Sequence, residues 1–197
     1  MAVKDKKMAQ IHQAAIQEFL KKGLDAASMH NIAESAEVSK RTLYKYFPTK
    51  GALYSALIDE LLDRVYENQL HYLNDIPIKE QLELIVSDKI DLFMSESFLN
   101  MSKIVLGEML KSRKPSDEQL ERMYSAEVMF VNWVDEARKD KKISSEVDSE
   151  IIASQFHSIL KGQTFYPILF YFADTKMIDK KGARDMTVSF FLRSFCS

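Results

Sequence analysis

Lys40, Arg41, Tyr44 and Lys45 fall within six consecutive positions, inside a run from Val38 to Ile58 that contains no Asp or Glu. Cations at this density bond phosphate oxygens or the acceptor edge of guanine, and a tyrosine among them packs on a thymine methyl or reaches a phosphate. The chemistry on offer is recognition of a polyanion. It is local: residues 1–50 carry nine Lys/Arg against five Asp/Glu, whereas the other 147 residues carry eighteen against twenty-four. A basic end on a chain of net charge -2 points to a contact confined to that end.

Other chemistry finds little support. His12, His30, His71 and His157 are scattered, and the sequence holds no HExxH, GxSxG or glycine-rich phosphate loop. His71 and Asp75 are four apart but lack a third metal ligand. The chain therefore reads as a non-enzyme with no cofactor and no metal. One cysteine, Cys196, leaves no internal disulfide and fits a reducing cytoplasm. The N-terminus lacks the apolar core of a signal peptide. The richest apolar stretch, Phe156 to Phe172, is cut by Lys161, Gly162, Gln163 and Pro167 and is too short to span a bilayer, so no membrane contact is expected.

The elements that must carry the basic cluster are helices. Five Gly and four Pro in 197 residues fall well below the roughly 12% of ordinary usage, too few for the turns of a sandwich or barrel. The fold class is all-α, with about nine helices. Helical spacing of Ile11, Ala15, Ile16 and Phe19 marks the first over about 4–22, closed by Gly23 at a left-handed position. Ser28 caps a second through Ala36, and Ser39 a third through Phe47. A fourth starts at Thr49 and runs to about Asn74, with Leu70 in its apolar register; others cover about 78–96 and 98–112. Ser116 and Gln119 make a capping box for a helix closing near Arg138 to Lys142, and Asp148 and Asp179 cap the last two, about 148–172 and 179–195.

Two short helices joined by about three residues must cross, which is the helix-turn-helix arrangement, here about 28–47. Ile32, Ala33 and Ala36 line the first, Val38 fills the turn, and Leu43 and Phe47 anchor the second, leaving Lys40, Arg41, Tyr44 and Lys45 outward on the helix that would enter a major groove. A solvated face on a small core helix would read similarly, but the acid-free run coincides with the motif spacing.

The stretch MHNIAESAEVSKRTLYKYFPTKGALYSAL, residues 29–57, resembles the DNA-binding segment of the TetR family of transcriptional regulators. The resemblance covers about residues 4–64. It implies an N-terminal three-helix helix-turn-helix domain (4–64), a C-terminal helical effector-binding and dimerisation domain (65–197), double-stranded DNA as partner, and pairing of two subunits through the last two helices. Carried onto this sequence, it assigns base contacts to Lys40, Arg41 and Tyr44, and phosphate contacts to Thr42, Tyr46, Lys50 and the amides after Thr49. Ser39 and Lys45 complete the recognition helix, and His30 matches a backbone-touching position. Two departures stand out: Glu37 where the family usually has Gly in the turn, and Arg41 where Gly is common.

Beyond residue 78 no comparably specific motif occurs. Phe93, Phe98, Met109, Met129, Phe130, Trp133 and Tyr166 supply a Met- and aromatic-rich interior, which serves equally as bundle core or as the lining of a pocket for a small apolar or aromatic effector. His157, Gln163, Glu108 and Asn132 are the candidate polar anchors, and Pro167 could kink its helix to widen such a pocket. The surplus of apolar residues at Phe165, Phe172, Phe190, Phe191 and Phe195 asks for a second copy. A twofold homodimer would then read a near-palindromic operator and leave it when the effector binds. The alternatives are a dimeric regulator, repressor or activator, with no small-molecule effector, and a helical enzyme with an appended helix-turn-helix.

Overall fold

The computed structural model describes residues 3–67 and 71–196. Among them are ten α-helices, one 3₁₀ turn and no strand: α1 Val3–Ala26, α2 Met29–Ser35, α3 Lys40–Tyr46, α4 Lys50–Tyr66, α5 Ile78–Met94, α6 Glu96–Leu110, α7 Asp117–Lys139, α8 Ser149–Gln163, α9 Phe165–Leu169 and α10 Lys180–Phe195, with the 3₁₀ turn at Thr175–Met177. The all-α reading holds.

The predicted caps form. Ser28 Oγ accepts from His30 N, Ser39 Oγ from Thr42 N, Thr49 Oγ1 from Ala52 N, Asp148 Oδ1 from Glu150 N and Asp179 Oδ1 from Gly182 N. Ser116 and Gln119 bond reciprocally, at 3.1 and 3.2 Å. Gly23 breaks α1 with φ 71° and ψ 166°, a backbone conformation open essentially to glycine alone, after which the chain makes one further turn to Ala26.

Two boundaries differ from expectation. The fourth helix is described only to Tyr66, with residues 68–70, Leu70 included, outside the described residues, and 71–77 is not helical. There Gln81 takes over the backbone: Leu73 N donates to its Oε1, and its Nε2 donates to Leu73 O and Ile76 O. Lys142 adds bonds to Asn74 O and Ile76 O. These side chains stabilise a non-helical path. The expected single helix 148–172 is instead α8 and α9, broken at Thr164 (φ -123°, ψ -53°). Pro167 has no amide to give and its ring crowds the carbonyl four residues earlier, so it is tolerated only in a first helical turn. The break three residues upstream puts it in one.

Among the described residues, four segments end on a left-handed residue that is not glycine: Glu37 (φ 54°) after α2, Ser112 (65°) after α6, Lys141 (58°) after α7 and Tyr171 (60°) after α9. Each sits at the same place in a Schellman closure. For Glu37 the bonds are Val38 N to Ala33 O, 3.0 Å, and Glu37 N to Glu34 O, 3.1 Å; matching pairs close the other three ends. The scarcity of glycine thus extends to positions where glycine is the usual choice.

Contacts gather the chain into two compact units. The first takes the chain up to Asp63 together with Asn100–Gln119; the second takes Arg64–Leu99 together with the chain from Leu120. Residues 100–119 thus group with the N-terminal part. Gln119 Nε2 donates to Ser55 O and Oγ and to Asp59 Oδ1, and Arg113 bonds Asp25. In the first unit α1 packs on α2 and α2 on α3, burying Ile11, Ala15, Phe19, Ile32, Leu43, Leu53 and Leu57. In the second, α10 packs on α5 and α8, with α9 against the same two. Its centre is aromatic: Phe130 stacks on Phe156 at 4.1 Å and on Trp133 at 5.4 Å, and Phe191 meets Trp133 and Phe156 edge-on.

Candidate nucleic-acid interface

The start of α2 is tied to α1 by one carboxylate. Glu18 Oε1 accepts from Ser28 N at 3.0 Å, Asn31 Nδ2 at 3.1 Å and Lys22 Nζ at 2.9 Å. Burial alone would raise the Glu18 pKa; the bonds from Lys22, Ser28 and Asn31 outweigh it and hold the carboxyl below the usual glutamate value. From α4, Lys50 Nζ donates to Asp25 O at 2.5 Å and Ala27 O at 2.9 Å, closing the α1–α2 junction. Arg113 bonds the Asp25 carboxylate and, at 2.7 Å, Glu108, which is 3% exposed and also accepts from Lys111. The Arg113 guanidinium holds the Asp25 carboxyl below the ordinary aspartate range. His12 Nδ1 meets Glu60 at 2.5 Å, and its ring lies 5.6 Å from that of Phe47, at the end of α3.

On this support α3 turns Leu43 fully inward while Lys40, Arg41, Tyr44 and Lys45 are exposed. His30 is exposed at the start of α2; Thr42 and Tyr46 are half-buried. The remaining three expected contact residues are engaged within the protein. Ser39 caps α3 and its hydroxyl pairs with that of Thr42 at 2.8 Å, Thr49 caps α4 and so takes the Ala52 amide, and Lys50 is bonded to two carbonyls. In the turn before α3, Glu37 itself takes the left-handed backbone conformation, φ 54°, at the place where the family usually has Gly. Glu18, Asp25, Glu108 and Arg113 were not singled out for this site by sequence. Glu18 and Lys22 carry the visible i, i+4 spacing, but Arg113 and Asp25 are 88 residues apart and nothing local links them.

This arrangement matches known proteins. The family model described as "Bacterial regulatory proteins, tetR family" covers residues 11–57, and that described as "AefR-like transcriptional repressor, C-terminal domain" covers residues 80–196, more than half of the chain. The chain belongs to the TetR family of transcriptional regulators. A solved TetR-family regulator from Pseudomonas syringae pv. tomato is 30% identical, with TM-score 0.78 over 98% of both chains. The solved Flavonoid-responsive Regulator FrrA is 25% identical, with TM-score 0.70 over 98% of both chains. The curated regulator RutR of Escherichia coli is 45% identical over 62 residues, 32% of this chain and only 29% of that protein. As a TetR-family member the chain is a DNA-binding helix-turn-helix transcriptional regulator.

In the second unit of this TetR-family chain, four of the residues expected to line an effector pocket, Phe93, Phe98, Phe130 and Trp133, are core. Phe130 and Trp133 lie in the central stack, and Phe93 and Phe98 pack on one another and on Phe165. Gln163 donates to Thr187 Oγ1 and Ile159 O, Met129 is half-buried, and Asn132 is exposed. Met109 and Glu108 belong to the first unit, where Glu108 is occupied by Lys111 and Arg113. A cleft of about 350 Å³ does open beside α7, α8 and α9, lined by Tyr124, Val128, Val131, Glu150, Ala153, Ser154, His157, Ser158, Lys161 and Tyr166. Only His157 and Tyr166 of the expected residues reach it. His157 is 5% exposed with its ring against Phe130 and Phe156. The expected dimer residues also divide. Phe165, Phe191 and Phe195 are buried in the chain's own core and so leave the outer surface, whereas Phe172 is 82% and Phe190 36% exposed. No helix among the described residues is long and apolar enough to cross a membrane.

Proposed function

We propose that this regulator is a dimeric, cytoplasmic repressor that holds a near-palindromic operator through α3 and releases it when a small, largely apolar or aromatic effector binds the second unit. The observation that carries the DNA part is the outward set Lys40, Arg41, Tyr44 and Lys45 on a helix whose opposite face, at Leu43, is fully buried. Lys40, Arg41 and Tyr44 read bases, while Lys45, His30, Thr42 and Tyr46 hold the phosphate backbone. The structural work of Ser39, Thr49 and Lys50 makes them supports of that surface.

Dimerisation is supported by apolar side chains left exposed on α8 and α10, Ile151, Met186 and Phe190. The effector reading is supported by the cleft, whose volume lies near the lower end of the range for small-molecule sites. The match to a model named for a repressor and the likeness to a flavonoid-responsive regulator point the same way. Selection of bound duplexes from a random pool tests the core of the proposal. The expected product is two inverted half-sites with centres about 34–36 Å apart or a multiple of that spacing. A single unpaired half-site would overturn the dimeric reading.

A second reading, in which the second unit serves dimerisation alone, is favoured by the tight stack of Phe130, Phe156 and Trp133. Trp133 is the single tryptophan. Its fluorescence, titrated with apolar aromatic compounds, separates the two: saturable change accompanied by loss of DNA binding supports the effector, and DNA binding indifferent to every compound that binds supports the second reading.

A further inference from the structure

We propose that Glu37 is a built-in brake on DNA binding, a carboxylate held at the edge of the recognition surface that lowers affinity for any duplex. The proposal rests on α3 being the recognition helix. Glu37 is exposed, lies two residues before the cap Ser39 and three before Lys40, and so belongs to the segment that leads into the reading helix. Among the described residues its carboxylate has no ion-pair or hydrogen-bond partner, and from Val38 to Ile58 the sequence offers no other acid. Of the four cations in that run, Lys50 is held by two backbone carbonyls, which leaves Lys40, Arg41 and Lys45 as the exposed positive charges that Glu37 opposes.

The backbone fixes where this side chain starts. With φ at 54° and the Schellman bonds of Val38 and Glu37 in place, the side chain leaves a rigid turn and not a loop that could swing it aside. Strain alone does not single out the position, since Ser112, Lys141 and Tyr171 adopt the same conformation at other helix ends. Its charge does: none of those three brings an anion to the surface expected to approach phosphates. A unit charge several Å from phosphate in water changes binding by about threefold, more where the site is partly dehydrated. Such a penalty acts on sequence-independent binding, which rests on phosphate contacts, and limits the time the regulator is held on the excess of competing DNA.

The test compares wild type, Glu37→Gln, Glu37→Gly and Lys40→Ala for binding to fluorescently labelled random-sequence duplex DNA, over a range of salt, with thermal melts of each. Glu37→Gln keeps the turn and removes the charge; it is expected to bind about threefold tighter at low salt, with a salt slope steeper by up to about one unit. Glu37→Gly is expected to show the same gain in binding, and a higher melting temperature because it also relieves the left-handed residue. Glu37→Gln binding like wild type, while Lys40→Ala binds more weakly, would overturn the brake and leave the recognition helix standing. Weaker binding by Glu37→Gln would overturn it too, by showing that the carboxylate accepts a hydrogen bond from DNA. Lys40→Ala binding like wild type would instead remove the recognition reading on which the proposal stands.

Discussion

The two compact units direct their chemically capable residues in opposite senses. In the first, polar side chains turn inward onto the backbone: Glu18, Ser39, Thr49, Lys50 and Gln119 all hold helix ends or junctions, while the cations Lys40, Arg41 and Lys45 of α3 stay outward. In the second, the aromatic side chains that could meet a ligand turn onto one another, while Phe170, Tyr171 and Phe172 stand exposed beyond α9. A surface that works outward needs only a fixed scaffold and a spacing of charges. A pocket that works inward competes with the core for the same residue types, and packing neighbours decide which use prevails.

The largest expected effect tests the core assignment of the second unit. Phe130→Ala removes a ring that is 0% exposed and stacked on two others. It should lower unfolding free energy by about 3–5 kcal/mol, read from urea denaturation of the full chain. A loss well below about 1 kcal/mol would mean that the ring faces a space already open, and the contrast between the units would fail.

Lys40→Ala and Lys50→Ala sharpen the contrast within the first unit. Lys40 is exposed on α3, so its loss should leave the melting temperature unchanged, weaken DNA binding and flatten the salt slope by roughly one unit. Lys50 donates to two carbonyls, and its loss should cost about 1–3 kcal/mol of stability. If the two variants showed the same melting temperature and the same salt slope, supporting and contacting cations could not be told apart this way. Ser39→Ala lies lower on the scale: losing the α3 cap should cost about 1 kcal/mol, seen as a small drop in melting temperature. A larger loss of DNA affinity than that drop explains would return Ser39 to the contact set.

Much of this was legible in the residues themselves. Caps are local chemistry, so Ser28, Ser39, Ser116, Asp148 and Asp179 announced their helices, and the inward–outward split of α3 followed from Leu43 and Phe47 being four apart. The break at Thr164 has a local cause in Pro167, whereas elsewhere partners outside the segment decided the path. The path of 71–77 depends on Gln81 and Lys142, and the join of 100–119 to the first unit depends on Arg113 and Gln119 reaching residues far away in sequence. Left-handed ends at Ser112, Lys141 and Tyr171 gave no signal, because the residue that normally marks them is glycine, and Glu37 was marked only through the family resemblance, which has Gly at that place. The split of His157 and Tyr166 from Phe130 and Trp133 was not legible either: all four are aromatic residues of the second unit, on α7, α8 and α9, and only three-dimensional packing puts the first two beside a cleft.

The smallest effect concerns pH and bears on how the first unit is held. Glu18 has its pKa held below the usual 4.5 by hydrogen bonds from Lys22, Ser28 and Asn31 that outweigh its burial. A carboxyl depressed in the folded state adds stability above its unfolded pKa, and the addition is lost as pH falls through the folded value. Glu18→Gln keeps the shape and an acceptor oxygen but removes the charge. Near neutral pH it should be less stable than wild type by about 1 kcal/mol or less. The gap should begin to narrow as pH falls past the ordinary glutamate pKa and close once it has fallen through the depressed folded value, where the wild-type carboxyl is protonated as well. Thermal melts of both proteins from pH 7 downward measure this. A gap that stayed constant through that range would show that Glu18 secures the start of α2 by geometry and not by charge. It would then join Ser39 and Thr49 as a neutral support, and the acid sensitivity of the first unit would fall to Asp25, whose carboxyl the Arg113 guanidinium depresses in the same direction.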